Sequence, residues 1–324
     1  MKLRLPFALG LAMASVTLAV MRLWPFTPPG EAVRTAAAAG DGAPEVLRPW
    51  LQDRLYRPLE KPQPGDWLHS SPEWAQSVRA WQKSKPNLPD PARHVLYLMP
   101  LGDFPEGGRA PSLELLREYL GLYFGMDARL TPPEPDSGPN PERRINGESG
   151  QPQLLTRDIL KWLPGRLPPD AYALLAVTLT DLYPKDSWNF VFGEATYKER
   201  VGVFSLARND PAFFIGGTSL PVPPKVRALI LRRACLILSH ETGHMFGWAH
   251  CRYYQCVMGG TGSQEESDRF PVGLCPVCLH KRYLARPFDP LRRQQNLLEF
   301  YQRYGLTDDA DQARKLLEQV VGGP

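Results

Sequence analysis

Three histidines and one glutamate lie within twelve residues of the sequence, in HETGHMFGWAHC (residues 240–251). The whole chain contains six histidines, so half of them are in this stretch. His240 and His244 are four residues apart, a spacing that places both imidazoles on one face of a helix, one turn apart. Two imidazoles arranged in this way can bind one zinc ion, each through a nitrogen at about 2.0–2.1 Å. The stretch therefore predicts a metal site.

Glu241, directly after the first histidine, is the candidate catalytic group. In an HExxH helix this glutamate is not a ligand but a general base toward a water that the zinc activates. Zinc lowers the pKa of such a water toward about 7, so that a neighbouring carboxylate can accept its proton. The alternative is a helix end with two surface histidines. The apolar helix upstream favours the ligand role, because unpaired histidines at a buried helix end are costly.

The third ligand is predicted by the residues that follow the helix. Gly247 tolerates a positive φ, so the chain can turn back there and bring His250 to the same metal. The resulting HExxHxxGxxH pattern is typical of metzincin proteases, which place a methionine beneath the zinc, and Met258 is the candidate here. Glu265 or Glu266 is the alternative third ligand, as in zinc sites completed by a glutamate on a second helix. The segment before these glutamates is poor in helix signals, which favours His250.

Four of the five cysteines form a second candidate site, with C-x4-C and C-x2-C spacing: Cys251, Cys256, Cys275 and Cys278. Paired cysteines at this spacing predict a closed tetrahedral zinc site with four thiolate ligands, which would be structural. Two disulfides are the alternative, and this pairing is favoured more in an exported chain. The fifth cysteine, Cys235, lies in the apolar helix and is expected to be a buried free thiol.

The element that must position the histidines is a long helix. It is expected to begin at Pro223 and Pro224, and its own residues are apolar on almost every face, as is typical of a buried helix. Hydrophobic periodicity and end signals predict the other elements. Further helices are expected at residues 111–125, 154–163, 289–305 and 308–321. Strands are expected at residues 94–102, 127–130 and 172–183, and near Ser205 after an irregular turn that begins at residue 189. Residues 132–153 are expected to be a polar loop.

This order of strands and helices predicts an α+β or α/β layered fold in which the long helix lies under a sheet. The 324 residues are enough for one large domain or two small ones. Residues 46–93 contain four tryptophans and are predicted to be a lead-in segment that packs on a main domain at residues 94–324.

The first 21 residues differ in composition from the rest of the chain. Lys2 and Arg4 precede an apolar run at residues 5–21, which is typical of a signal peptide or a short membrane anchor. Residues 1–45, which also include a Pro/Ala-rich linker, are therefore set apart from the fold. Export or membrane anchoring is predicted, and a cytoplasmic protein with an apolar N-terminal helix is the alternative. A net charge of +4 without a basic stripe does not indicate binding to nucleic acid.

Residues 240–281 resemble the signature of the archaemetzincin family, HExxHxxGxxHC-x4-C-x-M followed by C-x-x-C. Weaker resemblance occurs at residues 95–104, 177–195 and 201–208, and the resemblance covers about residues 94–284. It implies an α+β metzincin-like zinc peptidase fold, with a twisted mixed sheet, a long active-site helix and C-terminal helices. The leader is unusual for this family, which puts the localisation and the redox state of the cysteines in question.

The resemblance also implies two zinc ions per chain. The catalytic zinc would be bound by His240, His244 and His250, with Glu241 as the base. The structural zinc would be bound by Cys251, Cys256, Cys275 and Cys278. The expected function is that of a monomeric zinc metallopeptidase acting on peptides or proteins. The alternatives are a non-catalytic zinc-stabilised binding protein and a zinc amidase with a non-peptide or cell-wall substrate.

Overall fold

The computed structural model describes residues 42–71, 73–215 and 221–322, so the predicted leader lies almost wholly outside the described residues. The strands within these ranges are β1 (Val95–Pro100), β2 (Ala128–Leu130), β3 (Arg143–Ile145), β4 (Pro152–Leu155), β5 (Ala171–Thr178), β6 (Asp181–Tyr183), β7 (Gly193–Thr196) and β8 (Val201–Ser205). The α-helices are α1 (Trp67–Ser70), α2 (Val78–Lys83), α3 (Leu113–Phe124), α4 (Thr156–Trp162), α5 (Pro224–Met245), α6 (Gln264–Asp268), α7 (Pro276–Ala285), α8 (Pro290–Arg303) and α9 (Thr307–Val321).

A five-stranded mixed sheet organises the fold, in the order β2-β1-β5-β8-β7. The first four of these strands are parallel, whereas β7 is antiparallel to β8 and forms one edge. A smaller sheet has the order β3-β4-β6. The predicted twisted mixed sheet and C-terminal helices are therefore confirmed.

Both faces of the large sheet are covered, and β1 shows how its sequence allows this. Leu96 and Leu98 point into the larger core, which also contains apolar residues of α3 and α5. Val95, Tyr97 and Met99 point into the other core, which contains Ile159 and Leu160 of α4. Successive side chains of a strand point to opposite faces, so a strand between two helical layers is apolar throughout.

The long helix α5 begins at Pro224 and ends at Met245, as the sequence predicts. It packs against β7 and β8 and brings its last two turns, with both HExxH histidines, beside the edge strand. Gly247 then adopts a φ of 75°, in the left-handed region that favours glycine, and the chain turns back toward the helix. Among the described residues, no helix has the length and apolar character needed to cross a membrane.

The lead-in segment packs into the same core as the rest of the chain. It contains a 3-10 helix, Glu45–Leu51, and the short helices α1 and α2. Trp50 and Trp81 belong to the larger core, together with buried side chains of α5 and α7. Trp67 is also buried, whereas Trp74 is 40% exposed. Side chains of residues 46–93 therefore share a core with the residues that follow them.

The strands differ from the expectation in three regions. The predicted loop at residues 132–153 contains β3 and β4, which pair with each other and join β6. The irregular turn before Ser205 contains the edge strand β7. The predicted strand at residues 172–183 is divided into β5 and β6, which belong to different sheets. The new strands have only three or four residues each, which is too short for hydrophobic alternation to be recognised.

Candidate active site

His240, His244 and His250 come together at the end of α5. Each offers one ring nitrogen such that the three atoms lie within 4.8 Å of one another. The Nε2 atoms of His240 and His244 are 3.0 Å apart. Two nitrogens bound to one tetrahedral zinc at about 2.0–2.1 Å would lie about 3.3 Å apart, so the observed spacing fits a zinc ion.

Hydrogen bonds fix the orientation of the two helical imidazoles. His240 Nδ1 lies 2.9 Å from the carbonyl oxygen of Val257, and His244 Nδ1 lies 2.8 Å from that of Trp248. Since a carbonyl oxygen only accepts, each Nδ1 is the protonated nitrogen and Nε2 keeps its lone pair. Burial and the nearby positive charge of a second imidazole lower the pKa of His240 to about 3 and that of His244 well below its usual value. Neutral imidazoles of this kind are the form that binds metal.

His250 has a different partner. Its Nδ1 lies 2.7 Å from Oε2 of Glu73, and both side chains are less than a tenth exposed. Burial alone would raise the pKa of Glu73, but the charge and hydrogen bond of His250 outweigh it, and the pKa is lowered. The histidine from the turn is thus held by a carboxylate from the lead-in segment, which the sequence analysis did not single out.

Glu241 is buried beside the edge strand. A Cβ placed on Gly193 of β7 would lie 2.8 Å from Oε1 of Glu241, so the strand passes too close to the carboxylate for a residue other than glycine to fit without a shift. Burial and the neighbouring carboxylate of Glu194 raise the pKa of Glu241 to about 8. Glu194 in turn accepts a hydrogen bond from the hydroxyl of Thr156.

Met258 packs beneath the active-site helix. It is fully buried, and a Cβ on Gly243 of α5 would lie 2.4 Å from its sulfur. Its carbonyl oxygen accepts a hydrogen bond of 2.7 Å from the backbone N–H of Cys251. The side chain of Met258 therefore packs against α5, and its backbone is bonded to the turn that follows the helix.

The four paired cysteines form a buried cluster next to the histidines. One sulfur from each lies within 4.8 Å of the others, and those of Cys251 and Cys275 are 3.5 Å apart. This distance is far too long for a disulfide, whose sulfurs lie about 2.05 Å apart. It is close to the roughly 3.8 Å between two sulfurs of a tetrahedral zinc site with Zn–S bonds of about 2.3 Å. Hydrogen bonds from the other three thiols lower the pKa of Cys251, whereas burial and hydrogen bonds with the neighbouring thiols raise the pKa of Cys275 and that of Cys278.

Backbone N–H groups are directed at the sulfurs of two of these cysteines. Cys275 is the N-cap of α7, and its sulfur accepts a hydrogen bond from the backbone N–H of Cys278. The sulfur of Cys256 accepts another from the backbone N–H of Cys275. Such N–H groups stabilise negative charge on sulfur, as expected at a helix N-terminus. Cys235 is a buried free thiol in α5, apart from this cluster.

The two alternative glutamate ligands lie elsewhere. Glu266 accepts hydrogen bonds from the backbone N–H groups of Trp67 and Gly262, so its carboxylate connects α6 to the lead-in segment. Glu265 is exposed on the same short helix. Neither belongs to a group of potential metal ligands among the described residues.

Comparison with known proteins places the chain in a family. Residues 171–283 match the sequence profile described as Peptidase family M54. The chain is 33% identical to human Archaemetzincin-2 over 270 residues, which cover 76% of this chain and 74% of the relative. The chain belongs to the archaemetzincin family. Rat Archaemetzincin-2 is 32% identical over 279 residues, covering 79% of this chain and 77% of the relative. This archaemetzincin is therefore a zinc metallopeptidase.

The sequence similarity is more extensive than the motifs suggest. An alignment that covers 76% of the chain cannot fit within residues 94–284, so the similarity continues beyond at least one end of that range. Among solved structures, archaemetzincin from Methanopyrus kandleri is 30% identical and covers 60% of this chain and 97% of its own, with a TM-score of 0.43.

Proposed function

We propose that His240, His244 and His250 bind the catalytic zinc of this archaemetzincin and that Glu241 is its general base. The observation that carries the proposal is the convergence of three oriented imidazoles within 4.8 Å, beside a buried carboxylate on the same helix. Two imidazoles come from α5, and Gly247 allows the chain to return the third. The substrate is a peptide bond, in keeping with the family.

A bound zinc would polarise the scissile carbonyl and make a water more acidic. Glu241 would accept the proton of that water and then deliver it to the leaving amine nitrogen, the role reversal usual in general acid–base catalysis. Its position suits both steps, because the close approach of Gly193 limits where the carboxylate can move. No serine or cysteine nucleophile is required.

The test of this assignment is Glu241→Gln. Glutamine keeps the size of the side chain but cannot take up the proton, so we expect peptide hydrolysis to fall by about 100-fold to 10,000-fold while zinc remains bound. Activity on a mixture of peptides and zinc content per chain are measured on the same sample. Glu265→Gln, at an exposed position of α6, is the matched control and is expected to keep full activity. Undiminished hydrolysis by Glu241→Gln would show that the base is another group.

The four paired cysteines are proposed to bind a second, structural zinc. Their burial, the 3.5 Å separation of two sulfurs and the backbone N–H groups directed at sulfur all support a closed thiolate site. We expect two zinc ions per chain in the purified protein. One zinc, with no thiols titratable among these four after denaturation, would instead favour two disulfides.

A profile of cleaved substrates separates the alternatives to a peptidase. Release of products from cell-wall fragments but not from peptides would support a zinc amidase, and binding without cleavage of either would support a non-catalytic zinc protein. We also propose that residues 1–45 direct export or membrane association of a monomeric protein. The mass of the mature N-terminus and fractionation of expressing cells test this, and an intact chain in the cytoplasmic fraction would contradict it.

A further inference from the structure

The third histidine is held differently from the other two. His240 and His244 donate from Nδ1 to backbone carbonyl oxygens of Val257 and Trp248, whereas His250 donates to the carboxylate of Glu73. A carboxylate acceptor fixes the tautomer of a metal-binding imidazole and makes its free nitrogen a stronger ligand. With Nδ1 bonded to Glu73, the neutral form of His250, which is the form that binds metal, has its lone pair on Nε2.

Glu73 is itself held in one orientation. Its Oε1 atom accepts a hydrogen bond of 2.8 Å from the indole Nε1 of Trp67, and its backbone carbonyl accepts one from the guanidinium of Arg252. The indole of Trp67 also lies edge-on to the imidazole of His250, with 6.4 Å between ring centroids. Both carboxylate oxygens are therefore in use, one for the tryptophan and one for the histidine.

Gln76, three residues further on, binds the turn that carries His250. Its side-chain amide donates to the carbonyl oxygen of Gly247 at 2.9 Å and accepts from the backbone N–H of Ala249 at 3.1 Å. The ammonium of Lys281, which is fully buried in α7, donates to the backbone and side-chain oxygens of Gln76 at 2.7 and 2.8 Å. Thus Glu73 is bonded to the imidazole of His250, and Gln76 is bonded to the backbone of the turn that carries it.

We infer that Glu73 is a positioning residue of the catalytic metal site, which sets the tautomer and orientation of His250 and thereby the zinc affinity of the peptidase. The inference rests on the proposed function, because it takes the three histidines as the zinc ligands. Glu73 does not touch substrate or zinc and acts through His250. The lead-in segment then contributes a residue to the active site, although Glu73 lies 177 residues before His250 in the sequence.

Glu73→Gln is the decisive variant. An amide NH₂ placed at the position of Oε2 would donate to Nδ1 and favour the tautomer that has its proton on Nε2, the nitrogen needed for zinc. We expect the zinc affinity of the histidine site to fall about 10-fold to 100-fold, measured by competition with a chelator of known affinity. Glu73→Asp, which keeps the carboxylate, is expected to recover part of that loss. Glu265→Gln removes the same charge from an exposed position and should change nothing.

A second readout is independent of zinc and of catalysis. The ¹⁵N chemical shifts of the His250 ring in the metal-free full-length protein report which nitrogen carries the proton. We expect Nδ1 in the wild type and a shift toward Nε2 in Glu73→Gln, with the thermal unfolding midpoint nearly unchanged. A wild-type tautomer and wild-type zinc affinity in Glu73→Gln would overturn the inference. If the wild type itself bound no zinc at the histidines, the proposed function would fail, while the tautomer measurement would still test the role of Glu73.

Discussion

Glu241 illustrates how closely single residues are fitted at this site. Gly193 of β7 faces its carboxylate, and any side chain at position 193 would occupy the space that the carboxylate now fills. Since Gly193 is at the edge of the sheet and is not one of the proposed zinc ligands, it offers a way to move the proposed base without changing a proposed ligand.

Gly193→Ala is predicted to displace Glu241 while leaving zinc bound. The new methyl group would lie 2.8 Å from Oε1, so the carboxylate must shift by several tenths of an ångström or more. We expect peptide hydrolysis to fall by up to about 100-fold, since misplacement of a catalytic group by about 1 Å can have an effect of that size. The rate constant at saturating peptide and the zinc content are measured together.

Gly165→Ala is the control for this experiment, because a Cβ there would meet no atom within 4 Å. It is expected to retain wild-type activity. Equal activity in both glycine variants would mean that the carboxylate adjusts freely and that the close approach of β7 has no catalytic role.

At the residue scale, the sequence predicts a shared site for groups that lie on one helix, because their spacing along the chain then determines how close they are in space. The pair of histidines four apart, the glutamate between them and the C-x-x-C pair each lie within one helical turn, so their spacing alone predicts a shared site. Glu73 has no such relation to His250, because the two meet only through tertiary packing. Its only signal is a carboxylate within a tryptophan-rich segment, which does not identify a partner.

The turn between α5 and Cys256 is the element that connects both sites. His250 and Cys251 are adjacent in sequence and belong to the two different clusters of potential ligands. The backbone of Cys251 is also bonded to that of Met258. Release of the cysteine from its cluster would therefore leave the third histidine on a less restricted loop.

Cys251→Ser is predicted to lose the structural zinc and to weaken zinc binding at the histidines, on the order of tenfold. The number of zinc ions per chain and the affinity of the histidine site are measured by chelator competition. Cys235→Ala, which changes a buried thiol outside the cluster, should keep both ions. A Cys251→Ser protein with one zinc of unchanged affinity at the histidines would refute the coupling of the two sites.

At the element scale, long periodic segments are predictable from the sequence, whereas most short strands are not, although β2 is. The 22-residue helix α5 and the 12-residue helix α3 have enough turns for periodicity and end signals to agree. The strands β3, β4 and β7 have three or four residues and depend on their neighbours in a sheet. The helix α7 is not among the predicted helices, because its sequence is recognised only by the cysteine pair at its start.

At the scale of the whole molecule, the larger core of the described residues includes the lead-in segment. Leu47, Trp50 and Trp81 pack there with residues of the active-site helix, and the indole of Trp81 donates to the carbonyl oxygen of Phe246 at 2.8 Å. A peptidase domain confined to residues 94–324 would expose the surface that these side chains cover.

A chain that begins at residue 94 is predicted not to unfold cooperatively. Loss of one large buried aromatic side chain costs about 3–5 kcal/mol, and a typical protein is stable by only about 5–15 kcal/mol. Calorimetry and zinc content are the measurements. A chain that begins at residue 42 is the control, since it keeps every contact described here, and it should unfold in one transition with both zinc ions. Cooperative unfolding of the shorter chain with two zinc ions would show that the lead-in is dispensable.

The position of Glu73 and Gln76 has a consequence for biosynthesis. Both residues leave the ribosome early, whereas their partners at residues 247–250 and Lys281 are made much later. Closing loops of such length is slow compared with forming local contacts. The nascent chain therefore has no complete zinc-binding site until Lys281 has been translated. Docking of the lead-in segment is expected to be among the last steps before the enzyme can acquire its metal.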